Sequence, residues 1–124
     1  MYKLHLTSEG LSLEQLRHIW QEAVEVSLDE GIMVDVKRSA ATVRDVLDQG
    51  RTVYGINTGF GLLARQRIAD HELENLQEKL ILSHAAGTGA PLEDRIVRLI
   101  IILKINSLCK GYSGVRPLLI EALV

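Results

Sequence analysis

The sequence predicts a mainly α-helical domain with a central buried helix, two or three short β-strands and one glycine-rich loop. Apolar residues recur at intervals of three and four along most of the 124 residues, which is the spacing of one helical face. Two short stretches alternate between apolar and polar residues, as half-buried strands do. The stretch 53–61, Val-Tyr-Gly-Ile-Asn-Thr-Gly-Phe-Gly, contains three glycines, which weaken any regular element. These observations together favour helices and strands that flank one loop.

The alternating stretches are 2–6 and 24–28, and in both the first, third and fifth residues are apolar. Each predicts a strand with one buried face, and we expect the two strands to pair. Between them, Ser12 and Gln15 have the spacing of a capping box. This spacing predicts that the first helix begins just after Ser12.

Three longer helices are expected further along the chain. The first covers 36–49 and is ended by Gly50, and the second begins at a cap on Asp70 and continues to His84. The third extends to about Lys110, and its centre is apolar on almost every side. That composition predicts a helix surrounded by others, and the segment is too short to span a bilayer.

Composition limits the function. The chain is 47% hydrophobic and 24% charged, with a formal net charge of −2 and no basic block, so we expect no nucleic-acid or membrane partner. Its start alternates in polarity, unlike a secretory signal, which favours the cytoplasm. The length suits one domain, and the single cysteine excludes an intrachain disulfide. The last apolar run, 115–124, has no capping glycine, and we expect the chain to be a truncated portion of a longer protein.

Two segments match part of a known motif but lack a residue that the motif requires. Gly59-Phe60-Gly61-Leu62-Leu63-Ala64 fits the dinucleotide pattern G-x-G-x-x-A, but Ile81 and Leu82 stand where an acidic ribose ligand is needed. His71-Glu72 begins a zinc-protease helix, yet Asn75 replaces its second histidine. We therefore predict neither a dinucleotide site nor a metal site.

From composition alone, the stretch 53–61 is better explained as a connection between a strand and a helix than as a functional loop. Three motifs change this interpretation. They are 54–61, Tyr-Gly-Ile-Asn-Thr-Gly-Phe-Gly; 82–87, Leu-Ser-His-Ala-Ala-Gly; and 103–108, Leu-Lys-Ile-Asn-Ser-Leu. In this order they resemble the amino-terminal part of the aromatic amino-acid ammonia-lyase family, and the resemblance covers nearly the whole chain.

The resemblance implies a chemistry. Enzymes of that family eliminate ammonia from an amino acid with an electrophilic methylidene-imidazolone (MIO) ring and a tyrosine base on a mobile glycine-rich loop. It implies that Tyr54 is the base and that Gly55, Asn57, Gly59 and Gly61 belong to the active-site loop. The alternative for Tyr54 is a half-buried tyrosine of a strand.

The resemblance also implies a substrate. Ser83 and His84 match the Ser-His pair of family members that act on histidine, whereas members that act on phenylalanine or tyrosine have leucine in the second position. An imidazole can exchange hydrogen bonds with a polar substrate, so the implied reaction converts L-histidine to trans-urocanate and ammonia. Alternatively, His84 caps a helix end. A phenylalanine or tyrosine ammonia-lyase or aminomutase, and a short non-catalytic helical binding module, remain open.

The sequence lacks the three residues from which the family makes its cofactor. The MIO ring forms from an internal Ala-Ser-Gly, and this chain contains no such triad. Ala85-Ala86-Gly87 lacks the serine, and Tyr112-Ser113-Gly114 lacks the alanine. We therefore expect residues 1–124 to precede the triad and to be inactive alone, and the complete enzyme to be a homotetramer.

Overall fold

The computed structural model describes residues 1–61 and 65–124. Within these residues the chain forms five α-helices and a two-stranded sheet, which confirms the mainly α-helical class. It divides into two compact units, one made of Met1–Thr42 with Pro91–Val124 and the other of Val43–Ala90. No helix in the described part of the chain is long and apolar enough to cross a membrane.

The sheet of the first unit pairs strand β1 (Tyr2–Leu6) with strand β2 (Val24–Leu28), as expected. The strands are parallel and in register from their first residues to their last. Parallel strands need a crossover connection, and helix α1 (Leu13–Gln21) provides it. The alternation in β1 buries Leu4 and Leu6 and leaves Lys3 and His5 exposed.

The predicted capping box begins α1. The Ser12 hydroxyl accepts the Gln15 N–H at 3.2 Å, and the Gln15 side-chain oxygen accepts the Ser12 N–H at 2.8 Å. These two bonds satisfy donors that a helix start leaves free. The signal lies within four residues of sequence, which explains why the sequence alone located it.

Helix α4 (Asp94–Leu108) packs against α1 and against the final helix α5 (Pro117–Leu123). Its inner face is buried, but Ile100 and Leu103 are 54% and 44% exposed. The expectation of a central buried helix therefore holds for one face of α4, because only one face has neighbours within its unit. The core of this unit consists of Leu4, Leu6, Ile19, Ile32, Val36, Ile102, Ile105, Leu108, Cys109 and Ile120.

Helix α2 (Glu30–Asp48) begins six residues before the predicted start at residue 36. The Asp29 carboxylate accepts the Gly31 N–H at 2.8 Å and so caps the helix start. The buried residues Ile32, Val36 and Ala40, four positions apart, carry the inner face of α2 back to its first turn. The predicted end is confirmed. Gly50 N–H donates to Leu47 O at 2.9 Å and Arg51 N–H to Val46 O at 3.1 Å, which closes the helix.

Helix α3 (Leu73–His84) follows a short 3-10 turn at Asp70–Glu72. The predicted cap on Asp70 was wrong, because its carboxylate forms an ion pair with Arg67 at 3.5 Å and caps no helix. The strand expected just before the glycine-rich loop is not formed in the described residues. Residues 52–53 have no regular structure, 54–56 form a turn, and one isolated bridge joins Thr58 and Arg67. Leu62, Leu63 and Ala64, which complete the G-x-G-x-x-A pattern, lie outside the described residues.

Candidate functional site

Tyr54 lies in a tight turn that follows α2. The N–H groups of Ile56 and Asn57 both donate to Val53 O, at 3.1 and 3.2 Å, and this closes the turn around the tyrosine. The Tyr54 side chain is 65% exposed. The alternative of a half-buried strand tyrosine is therefore wrong, because the backbone turns at this position and presents the phenol to solvent.

Asn57 is the internal support of this turn. Its side chain is completely buried. The amide oxygen accepts the Val53 N–H at 2.9 Å, and the amide nitrogen donates to Arg51 O at 2.7 Å. Both partners of the Asn57 amide are backbone groups of residues that precede Tyr54. The side chain of Asn57 therefore points into the loop and supports its shape.

A second set of backbone bonds holds the far side of the loop. Gly59 N–H donates to Gln66 O at 3.0 Å, and Ile68 N–H donates to Asn57 O at 2.9 Å. The Arg67 guanidinium also donates to Gly50 O at 3.1 Å. No periodic signal in the sequence marks this support, because the Arg67 contact joins residues 17 positions apart.

Two of the loop glycines adopt backbone angles that favour glycine. Gly55 has φ +81° and Gly61 has φ +58°. A Cβ at either position would meet nothing within 4 Å, so backbone conformation, and not lack of space, is what a larger residue would disturb there. Gly59 has no positive φ, and this reason does not apply to it.

Ser83 and His84 form the carboxyl-terminal end of α3. The Ser83 hydroxyl donates to Leu80 O at 2.9 Å, and His84 Nδ1 lies 2.8 Å from the same oxygen. The two side chains also contact each other, with 3.0 Å between Ser83 Oγ and His84 Nδ1. Both residues are exposed, so the imidazole is attached to the helix end through one nitrogen and remains accessible.

Tyr54 and the Ser83-His84 pair both lie in the unit Val43–Ala90. In the described ranges, no hydrogen bond or ion pair joins the Tyr54 turn to the Ser83-His84 pair. Each is assembled from its own neighbours in sequence. The chain thus presents a phenol and an imidazole on separately supported segments.

The other reactive groups of the described residues are less suited to a functional site. Cys109 is 3% exposed, and burial raises the pKa of its thiol, which keeps it protonated near neutral pH. No group of three or more histidine, cysteine, aspartate or glutamate side chains that could hold a metal occurs in residues 1–61 and 65–124. The tyrosine turn and the end of α3 therefore remain the candidate site.

This chain is similar in sequence and in fold to several known proteins. Histidine ammonia-lyase from Salmonella arizonae is 56% identical over 119 residues, which make up 96% of this chain and 24% of that protein. The crystal structure of histidine ammonia-lyase from Trypanosoma cruzi has a TM-score of 0.84 and 31% identity, over 98% of this chain and 24% of that chain. Tyrosine aminomutase from Streptomyces globisporus has a TM-score of 0.88 and 27% identity, over 98% and 23%.

The chain spans about a quarter of the length of the curated relatives that it matches. The family model described as aromatic amino acid lyase matches residues 11–124, which include both the tyrosine turn and the end of α3. This chain therefore belongs to the aromatic amino acid lyase family.

Proposed function

We propose that residues 1–124 are the amino-terminal quarter of a histidine ammonia-lyase, which converts L-histidine to trans-urocanate and ammonia. The observation that carries the proposal is the 56% identity with the Salmonella arizonae histidine ammonia-lyase over nearly the whole chain. The tyrosine aminomutase structure has the higher TM-score, 0.88 against 0.84 for the Trypanosoma cruzi histidine ammonia-lyase, but its identity is only 27%. Sequence, more than shape, therefore favours histidine as the substrate.

In this proposal Tyr54 is the base. Elimination transfers a proton from the β-carbon of the amino acid to the base while the bond between the α-carbon and the amine breaks and a carbon–carbon double bond forms. The proton is taken up by the ionised phenol oxygen, which must be able to reach the substrate. The exposed side chain of Tyr54 supports this role, since the turn beneath it is held by Asn57 and does not depend on the phenol itself.

His84 is the substrate ligand in this proposal, with Ser83 beside it. The imidazole is exposed at the end of α3 and can exchange a hydrogen bond with the side chain of a bound histidine. A leucine in the same place would suit a benzene ring and could not form this bond. The residue at position 84 therefore separates histidine from phenylalanine in the proposed site.

The MIO ring that the family uses as its electrophile does not fit the residues of this chain. The ring is made from Ala-Ser-Gly, and the nearest approach next to the site, Ala85-Ala86-Gly87, has no hydroxyl. We propose that the electrophile and the remaining substrate ligands come from residues outside 1–124, within a homotetramer. Purified residues 1–124 should then form no urocanate from L-histidine above a no-protein blank; measurable turnover would contradict this.

The substrate is tested on the complete enzyme that contains this sequence. The assay offers L-histidine, L-tyrosine and L-phenylalanine separately and identifies each product by chromatography and mass. We expect urocanate and ammonia from L-histidine, with kcat/KM at least about a hundredfold above the other two, as expected for a site that hydrogen-bonds its substrate. Preferential turnover of tyrosine or phenylalanine, or formation of a β-amino acid, would overturn the proposal in favour of the lyase or aminomutase alternative.

A further inference from the structure

The orientation of the His84 ring follows from what surrounds its Nδ1 atom. That nitrogen lies 2.8 Å from Leu80 O. A carbonyl oxygen can only accept a hydrogen bond, so the hydrogen of this contact must be on Nδ1. The neutral ring is therefore the tautomer that carries its proton on Nδ1.

Ser83 completes this arrangement. Its hydroxyl donates to Leu80 O at 2.9 Å, which uses the only hydrogen of the hydroxyl. The Ser83 oxygen then faces Nδ1 at 3.0 Å as an acceptor. The Nδ1–H group is thus shared between a backbone carbonyl and a side-chain oxygen, and both contacts favour the same tautomer.

The consequence concerns the other ring nitrogen. With the proton on Nδ1, Nε2 carries a lone pair, and both contacts of the ring in the described residues are made by Nδ1. We propose that Ser83 and the Leu80 carbonyl position His84 so that Nε2 is a hydrogen-bond acceptor for an N–H group on the substrate side chain. This inference rests on the proposed function, because it assigns the direction of the hydrogen bond within that site.

This direction selects a chemical class. A neutral imidazole always carries one N–H group and can donate it to Nε2, whereas a phenyl ring carries no donor. The acceptor at position 84 therefore suits an imidazole-bearing amino acid. Ser83 acts through His84 and is a positioning residue, since its oxygen and its hydrogen are already engaged at the helix end.

Substitutions that imitate one nitrogen at a time test the proposal in the complete enzyme. The amide of glutamine can place its oxygen near the position of Nε2, while the shorter asparagine amide reaches only the position of Nδ1. We expect His84→Asn to raise KM for L-histidine about tenfold or more, the effect of losing one desolvated hydrogen bond, and His84→Gln to raise it several-fold less. Equal impairment in the two variants would overturn the acceptor role.

Ser83 is tested by a matched pair. Ser83→Ala removes the oxygen that faces Nδ1, so we expect KM to rise about three- to tenfold while kcat changes little, because the ring loses one of its two constraints. Ser83→Thr keeps the hydroxyl and should restore KM. If alanine and threonine give the same KM, or if kcat falls instead, Ser83 does not position the ring.

The tautomer itself can be measured without activity. Residues 1–124 labelled with ¹⁵N-histidine are studied by long-range ¹H–¹⁵N NMR over a range of pH, with circular dichroism to verify the helices, and the tautomer is assigned where the spectra themselves show a neutral ring. We expect the His84 signals to show the Nδ1–H tautomer as the major form and Ser83→Ala to lower its share. A major Nε2–H form would overturn the inference even if the enzyme acts on histidine. An enzyme inactive on histidine would reject the proposed function, and with it the acceptor role of Nε2, while the measured tautomer of His84 would stand.

Discussion

Tyr54 is the residue on which the proposed chemistry depends. Tyr54→Phe removes only the phenolic oxygen and keeps the ring, so the turn should fold as before. We expect kcat for urocanate formation by the complete enzyme to fall about 10²–10⁴-fold with little change in KM, as for loss of a general base. Tyr112→Phe is the matched control, because Tyr112 is 92% exposed and lies in the other unit. A Tyr54→Phe enzyme within threefold of the parent would show that another group is the base.

Asn57 determines whether the tyrosine turn forms. Asn57→Ala removes both of its bonds to the backbone and leaves the Val53 N–H and the Arg51 carbonyl without their partner. We expect the free energy of unfolding of residues 1–124 to fall by about 2–3 kcal/mol, because unsatisfied buried groups carry a desolvation penalty. Urea unfolding followed by circular dichroism measures it.

Two further variants make the Asn57 test specific. Asn57→Asp keeps an acceptor for Val53 but places a carboxylate against the Arg51 carbonyl, so it should not rescue stability. Asn75→Ala changes an exposed asparagine of α3 and should shift the unfolding midpoint little. Equal effects at positions 57 and 75 would contradict a supporting role for Asn57.

At the scale of elements, Arg98 of α4 closes the end of α1. Its guanidinium donates to Ile19 O at 2.8 Å and to Glu22 O at 2.7 Å. The last carbonyls of a helix have no partner within it, and a cation there also complements the helix dipole. One side chain thus satisfies two acceptors and connects two helices.

Arg98→Met keeps most of the aliphatic stem and removes the guanidinium. We expect it to lower the free energy of unfolding by about 2 kcal/mol, the contribution typical of hydrogen bonds to a charged group. Arg44→Met, on the exposed surface of α2, controls for loss of one positive charge. The comparison uses urea midpoints at two salt concentrations, and a loss no larger than that of the control would refute the cap.

Local signals explain which elements the sequence could locate. The capping box at Ser12 and the alternation in both strands act between near neighbours, and they located β1, α1 and β2 closely. The start of α2 was placed too late because Asp29-Glu30-Gly31 has the composition of a turn, although the buried residues Ile32, Val36 and Ala40 continue the apolar face into the first turn. The inward direction of Asn57 was not predicted, since composition does not say which way a loop side chain points.

Burial at the scale of the whole molecule depends on neighbours that no local pattern specifies. The apolar circumference of α4 predicts contacts on every side, yet among the described residues Ile102, Ile105 and Leu108 are buried while Ile100 and Leu103 are exposed. The chain also spans about a quarter of its curated relatives, so most of a complete lyase lies outside these residues. We propose that the outward side chains Ile100 and Leu103 pack against that remainder.

An ion pair between Met1 and Glu22 makes part of the free energy of unfolding depend on pH. The Met1 ammonium lies 3.1 Å from the Glu22 carboxylate, and His18 lies 3.5 Å from it. The hydrogen bond from the amino-terminal ammonium, with a smaller contribution from His18, lowers the pKa of Glu22 from its usual value of 4.5. The folded state therefore holds the carboxylate ionised at pH values where the unfolded state has begun to protonate it.

A carboxyl group whose pKa is lower in the folded state contributes its full stabilisation at pH values above its pKa in the unfolded state. The contribution disappears as the pH falls through its pKa in the folded state. We therefore expect the parent to exceed Glu22→Gln in unfolding midpoint at pH 7 and the two to converge at pH values well below 4.5. High salt should shrink the difference, because the pair is exposed to solvent. Acetylation of the amino terminus should remove most of this difference, since His18 is then the only one of the two groups that still contacts the Glu22 carboxylate. A difference between parent and variant that is constant from pH 7 to strongly acidic pH would mean that Glu22 acts by packing and not through its charge.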